Sequence, residues 1–167
     1  MEKDHVDRFL EHLEGIPDLD YDVEGIVERI QGLEKRFKRA LEATLEEHAL
    51  TYGEWKVLGA LRNESNPHQC SPGFLANELE LSSGAMTNRL DRLEEAGFIK
   101  RLPDPDDRRG VRIELTEAGA QVWVESTNAQ ARKESLVAGA LTKRDQGQLN
   151  TLLRKLMLSF ERTEGPY

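Results

Sequence analysis

The chain has 167 residues, with 23 Lys plus Arg against 31 Asp plus Glu and a formal net charge of -8 at pH 7. That suits one domain, or one domain with dimerising extensions, and it excludes a general nucleic-acid coat protein, whose surface would be basic throughout. A single cysteine excludes an intramolecular disulfide framework, and charged first residues with no long apolar run point to a cytoplasmic protein without a membrane partner.

At the N-terminus Val6, Phe9, Leu10 and Leu13 predict a short amphipathic helix that ends near Gly15-Ile16-Pro17, and an Asp-rich linker follows. This extension occupies residues 1–22. Val23, Ile26, Val27, Ile30, Leu33, Phe37, Leu41 and Leu45 then form a long helical stripe within residues 23–50. Thr51-Tyr52-Gly53-Glu54 is a T-x-x-E capping box that opens a helix with Trp55, Leu58 and Leu61 on its inner side. Ser71-Pro72 places a capping hydroxyl before a proline in the first turn of a shorter helix, with Leu75, Ala76 and Leu79 inward.

Leu81-Ser82 makes a tight turn into the next helix, capped by Ser82 or Ser83 and ended by Gly97. Met86, Leu90 and Leu93 share its buried face. Gly84, Asn88, Asp91 and Arg92 lie opposite, with Thr87 on one flank and Arg89 on the other. Asn can read adenine, Arg can read guanine, and Ser or Thr can meet base or phosphate. Asn88 and Arg92 are therefore the candidate base contacts, and Ser82, Ser83 and Thr87 the candidates for base or phosphate.

Residues 98–102 and 111–115 are short strand candidates, the second alternating with period two. The P-D-P-D-D-R-R-G segment between them forms a turn, so Arg108 and Arg109 sit at a tip. Arg109 suits a minor groove, Asp107 can set its direction in a bidentate pair, and Arg108 and Arg112 suit the phosphate backbone. Lys100, Arg101, Arg108, Arg109 and Arg112 supply the basic cluster that an acidic DNA-binding chain requires.

A further helix begins near Thr116 and carries Val122, Trp123 and Ala131; Thr142 caps another, with Leu149, Leu152, Leu153, Leu156 and Phe160 on one side. The whole reads as a mainly α fold with a small β-wing. A winged helix-turn-helix lobe spans 51–115, and dimerisation helices span 23–50 and 116–167. One small lobe cannot bury all the terminal apolar faces, so the N- and C-terminal helices of two chains are expected to interlock as a homodimer.

The segments L-A-N-E-L-E-L-S-S-G-A-M-T-N-R-L-D-R-L-E-E-A-G-F-I-K-R and D-P-D-D-R-R-G-V-R-I-E-L-T-E-A-G resemble the MarR family of regulators. The D-R-R-G-V wing followed by L-T-x-x-G is the specific part, and similarity in helical layout extends over about residues 23–160. The resemblance implies a homodimer that binds a pseudopalindromic operator in double-stranded DNA, usually represses, and is released by a small ligand or an oxidant. The extra N-terminal helix is similar to that of the urate- and aconitate-responsive branch. By that resemblance Arg89 matches the ligand-holding arginine of the recognition helix, and Arg101 the strand arginine that relays the signal. Two positions depart from the branch: its N-terminal tryptophan is replaced near Phe9, and Lys56 stands where an acid follows the second-helix tryptophan.

Lys56 and Arg89 facing one cleft, with Phe9 and His12 from the N-terminal helix, would favour a ligand with several carboxylates, of the citrate or aconitate type. Lys56 in solvent and Arg89 paired with a nearby acid is the alternative. His5, His12, His48 and His68 show no close metal-ligand spacing, so no metal and no cofactor are expected. No G-x-S-x-G elbow, phosphate-binding glycine loop or paired catalytic His and Cys is present, so the chain is not read as an enzyme. Cys70, placed in a loop, is read as an ordinary small residue. The alternatives are a cysteine-based oxidant sensor and a winged-helix module that contacts only proteins.

Overall fold

Packing of short capped helices on a small sheet organises the chain, as seen in a computed structural model that describes residues 2–64, 68–105, 107 and 110–165, with the side chains of 136, 137 and 164 excepted. The elements in order are α1 (His5–His12), α2 (Tyr21–Glu46), α3 (Tyr52–Asn63), β1 (Gln69–Cys70), α4 (Pro72–Glu78), α5 (Ser83–Glu95), β2 (Ile99–Pro103), β3 (Val111–Leu115), α6 (Glu117–Ala138) and α7 (Lys143–Glu164). The chain divides into two compact units, residues 1–126 and 127–167.

In the first unit, α1 is a one-sided helix pinned to α2. Asp4 caps it, with its carboxylate accepting the Val6 and Asp7 backbone N–H groups. Val6 is buried, and Leu10 and His5 lie over Gly25 and Gly32 of α2, so the two helices run antiparallel. Arg29 of α2 donates to both Asp4 and Asp7. The Asp7 backbone N–H and then Arg29 hold the Asp4 carboxyl down at about 2, so the clasp stays charged through the neutral range. α2 begins at Tyr21, slightly before the expected stripe, because Asp20 caps it by accepting from Asp22 and Val23.

The helix-turn-helix core forms where the apolar stripes of α3, α4 and α5 meet the inner face of the sheet. Val57, Leu58, Leu61, Leu75, Met86, Leu90, Leu93, Ile99 and Ile113 are all buried there, joined by Leu45 in the last turn of α2 and Leu50 in the connection to α3. Each such side chain contributes roughly 1.5–3 kcal/mol through burial. The capping box forms with Thr51 and Glu54, Ser71 caps α4 ahead of Pro72, and Ser82 rather than Ser83 caps α5. Gly97 ends α5 at φ +74°, a left-handed conformation that costs glycine little.

The loop expected at Cys70 is corrected by the sheet. The sheet has three strands in the order β1-β3-β2, all antiparallel, with Cys70 opposite Ile113; Cys70 therefore lies in a buried strand and not in a loop. β1 is two residues long, too short to carry a period-two signal. On α6 the buried positions include polar Ser126 and Gln130, whereas Ala131 is exposed. Trp123 instead stacks on Trp55 at 6.0 Å, and Trp55 on Tyr52 at 6.1 Å, forming a ladder of rings along α3.

The second unit contains the last turns of α6 and all of α7. Thr142 and Asp145 form a reciprocal capping box at the start of α7, and Gln146 donates to the carbonyls of Ala138 and Leu141. The stripe of Leu149, Leu152, Leu153, Leu156 and Phe160 is exposed, as are Val23, Ile26, Val27, Ile30, Leu33 and Phe37 on α2.

Candidate nucleic-acid interface

The outward face of α5 is set by its buried one. Met86, Leu90 and Leu93 point into the core, so Ser83, Gly84, Thr87, Asn88, Asp91 and Arg92 are left on the exposed side. Ser82 Oγ accepts the Ala85 N–H at 3.3 Å, which satisfies one free donor at the helix start. Thr87 Oγ1 donates back to the Ser83 carbonyl at 2.9 Å, so its hydroxyl oxygen remains available only as an acceptor. Asn88 and Arg92 stand one turn apart on the same exposed face.

The wing follows directly. β2 and β3 pair from Ile99↔Leu115 to Pro103↔Val111, and the turn is closed by hydrogen bonds from Asp104 N to Gly110 O and from Gly110 N to Asp107 O. Arg108 and Arg109 lie outside the described residues, and so does the pairing of Asp107 with Arg109. The other expected wing cations are not a free cluster. Lys100 pairs with Glu114, Arg112 Nε donates to Asp104 at 3.1 Å, and Arg101 is bound by Asp91 at 2.6 Å and by Glu94. Hydrogen bonding to Lys100 and Gln69 holds the Glu114 carboxyl below its usual range. Alternating acids and bases along short strands make such pairs, which residue counts alone do not reveal.

Arg101 has a definite structural task. Glu94 accepts both its guanidinium and, at 3.2 Å, its backbone N–H, while Asp91 accepts the other guanidinium nitrogen. The side chain thereby fastens the first wing strand to the recognition helix.

Arg89 leaves the exposed face of α5 and lies against the first turn of α3. A Cβ at Gly53 would stand 2.5 Å from Arg89 Nε, so the guanidinium lies in the space that the missing side chain of Gly53 leaves open. Lys56 sits over the Tyr52 ring at 6.0 Å, on the same turn of α3. Among the described residues neither cation has a carboxylate partner. Lys56 and Arg89 are thus brought to one helix start, where the backbone dipole is already positive. Phe9 and His12 are not brought there within one chain: α1 lies along α2, and His12 Nδ1 is bonded to the Arg8 carbonyl.

Glu54 was visible in the sequence only as a cap. It is also the carboxylate behind Arg92, with Oε1 3.5 Å from Arg92 Nη1. A pair 38 residues apart leaves no local sequence signal. Cys70, in contrast, offers no activated thiolate. Burial, with Glu64 adding and Arg112 opposing, pushes its thiol up to about 11. Among the described residues no group of His, Cys, Asp or Glu could hold a metal ion, and no helix is long and apolar enough to cross a membrane.

A capped, polar-faced helix followed by a paired β-wing defines a winged helix-turn-helix regulator. The model of the MarR family matches residues 50–111. The HTH-type transcriptional regulator PecS of Dickeya dadantii is 29% identical over 140 residues, covering 84% of each chain. The HTH-type transcriptional regulator MgrA of Staphylococcus aureus is 32% identical over 115 residues, covering 69% of this chain and 75% of MgrA. The crystal structure of a cysteine-to-serine mutant of MarR from E. coli, complexed with operator DNA, is similar with a TM-score of 0.61 at 28% identity, covering 84% of this chain and 99% of that one. The chain belongs to the MarR family of transcription regulators, which are DNA-binding proteins and not enzymes.

Proposed function

We propose that this protein binds a pseudopalindromic operator as a two-fold homodimer in the cytoplasm and represses the adjoining genes until a small anion releases it. The observation that carries the reading is the outer face of α5. Thr87, Asn88 and Arg92 are exposed there beside the wing, on a helix whose opposite face is locked into the core. In this reading Asn88 and Arg92 contact bases; Ser82, Ser83 and Thr87 meet base or phosphate, Arg108 and Arg112 meet the backbone, and Arg109 enters the minor groove with Asp107 behind it. The operator complex of the E. coli relative supports the same use of this lobe. The exposed stripes of α2 and α7 support a dimer, since apolar faces of that extent are rarely left in water.

Selection of bound sites from a random duplex library tests the assignment. Asn88→Ala or Arg92→Ala should each relax one position of the site, at about 1–3 kcal/mol per lost base contact. Equal losses on selected and random DNA would contradict a base-reading role.

The effector part of the proposal rests on Lys56 and Arg89. Two cations with no carboxylate partner among the described residues, at a positive helix start, gain from an anion bearing several carboxylates, so citrate or aconitate should raise the melting temperature of the purified protein. Urate and salicylate, with fewer charges, should raise it less. Arg89 is part of the recognition helix, so drawing it toward an anion at α3 would shift that helix against DNA, and Arg101 would carry the shift to the wing. A coupling of roughly 1–3 kcal/mol suffices for a modest switch. No thermal response to either tricarboxylate would end the effector reading and leave DNA binding intact.

A further inference from the structure

We infer that Glu54 is the positioning residue that holds Arg92 ready to read a base. The inference depends on the DNA-binding role proposed above. Glu54 is the third residue of α3, and its side chain is only 8% exposed. Its Oε2 accepts the Thr51 backbone N–H at 2.8 Å, while Oε1 faces Arg92 Nη1 on α5 at 3.5 Å. The capping box therefore does two things. It satisfies the start of α3, and by fixing one carboxylate oxygen it aims the other at the recognition helix.

Arg92 is held without being consumed. Its side chain remains 69% exposed, with one nitrogen toward Glu54 and the rest of the guanidinium left for a partner outside the protein. No other carboxylate among the described residues competes for it: neighbouring Asp91 is engaged by Arg101, and so is Glu94. An arginine otherwise gives up substantial rotamer entropy on binding, and a guanidinium already fixed at one edge loses less for each hydrogen bond it forms. A base edge, which needs two donors in a set direction, benefits from that fixing. A phosphate, which accepts a cation from many directions, gains little. Glu54 is thus expected to act on specificity more than on overall affinity.

Glu54→Gln separates the two tasks, because an amide oxygen can still accept the Thr51 N–H while the charge behind Arg92 is gone. Binding of the selected site, its single-base variants and random duplex is measured for the wild type, Glu54→Gln, Arg92→Ala and the double variant, with melting temperature as a folding control. Glu54→Gln should weaken the selected site about three- to tenfold, and lose discrimination at the same base pair that Arg92→Ala relaxes. It should change random-DNA affinity by less than about twofold, and have no further effect once Arg92 is alanine. Undiminished discrimination in Glu54→Gln, or an equal loss with and without Arg92, would overturn the inference and leave Glu54 a helix cap alone. If the wild type selects no site at all, the DNA-binding reading fails first and this inference with it.

Discussion

Gly119→Ala is expected to destabilise the DNA-binding lobe by about 3 kcal/mol or more, at the upper end of ordinary overpacking costs. A Cβ at Gly119 would lie 2.0 Å from the Phe98 carbonyl oxygen and 2.9 Å from Leu115 Cδ1. The first obstacle is backbone, so no rotamer change relieves it. The same junction is stitched by polar groups. Thr116 N donates to Phe98 O at 3.1 Å, Thr116 Oγ1 donates to Gly97 O at 2.8 Å, and Gly119 N donates to Thr116 Oγ1 at 3.0 Å. The L-T-x-x-G motif is therefore the joint at which the start of α6 docks on the end of the recognition helix and the base of the wing. Denaturant unfolding measures the effect directly, and a Gly119→Ala protein as stable as wild type would show that this close approach is not present in solution.

The second large effect concerns assembly. Ile26 on α2 is 53% exposed and Leu152 on α7 is 57% exposed, each in the middle of an apolar stripe. Placing Glu at either position leaves a folded lobe untouched but puts a charge where a second copy is proposed to pack. Sedimentation should show Leu152→Glu and Ile26→Glu as monomers. Their operator affinity should fall on the order of a hundredfold or more, because the second half-site no longer binds as an intramolecular event. Variants that remain dimeric and bind normally would mean these faces are covered in some other way.

Much of the fold was legible because its signals are local. The T-x-x-E and Ser-Pro caps, the Met86, Leu90 and Leu93 stripe and the glycine stop at Gly97 each specify an element within one or two turns, and each forms as read. β1 was not legible, since a two-residue strand is defined by its partner β3 and not by its own pattern. The electrostatics of the site were legible only in part. Lys100, Arg101 and Arg112 read as part of a basic cluster on one surface, yet each meets a carboxylate brought to it by strand register or by α5. Conversely, Arg89 pairs with no acid among the described residues and rests on Gly53, a contact that depends on how α3 packs against α5. Glu54 shows the same limit: its capping role follows from spacing, its place behind Arg92 only from tertiary structure.

The central claim is that a pair of α5 helices reads two half-sites of one operator. Footprinting the wild-type protein on library-selected DNA, across a salt series, tests it most directly. Two protected half-sites should appear with centres about 34 Å apart, or one helical turn. Their affinity should fall steeply with salt, in proportion to the phosphates contacted. A single unpaired footprint, or protection that does not depend on sequence, would contradict it.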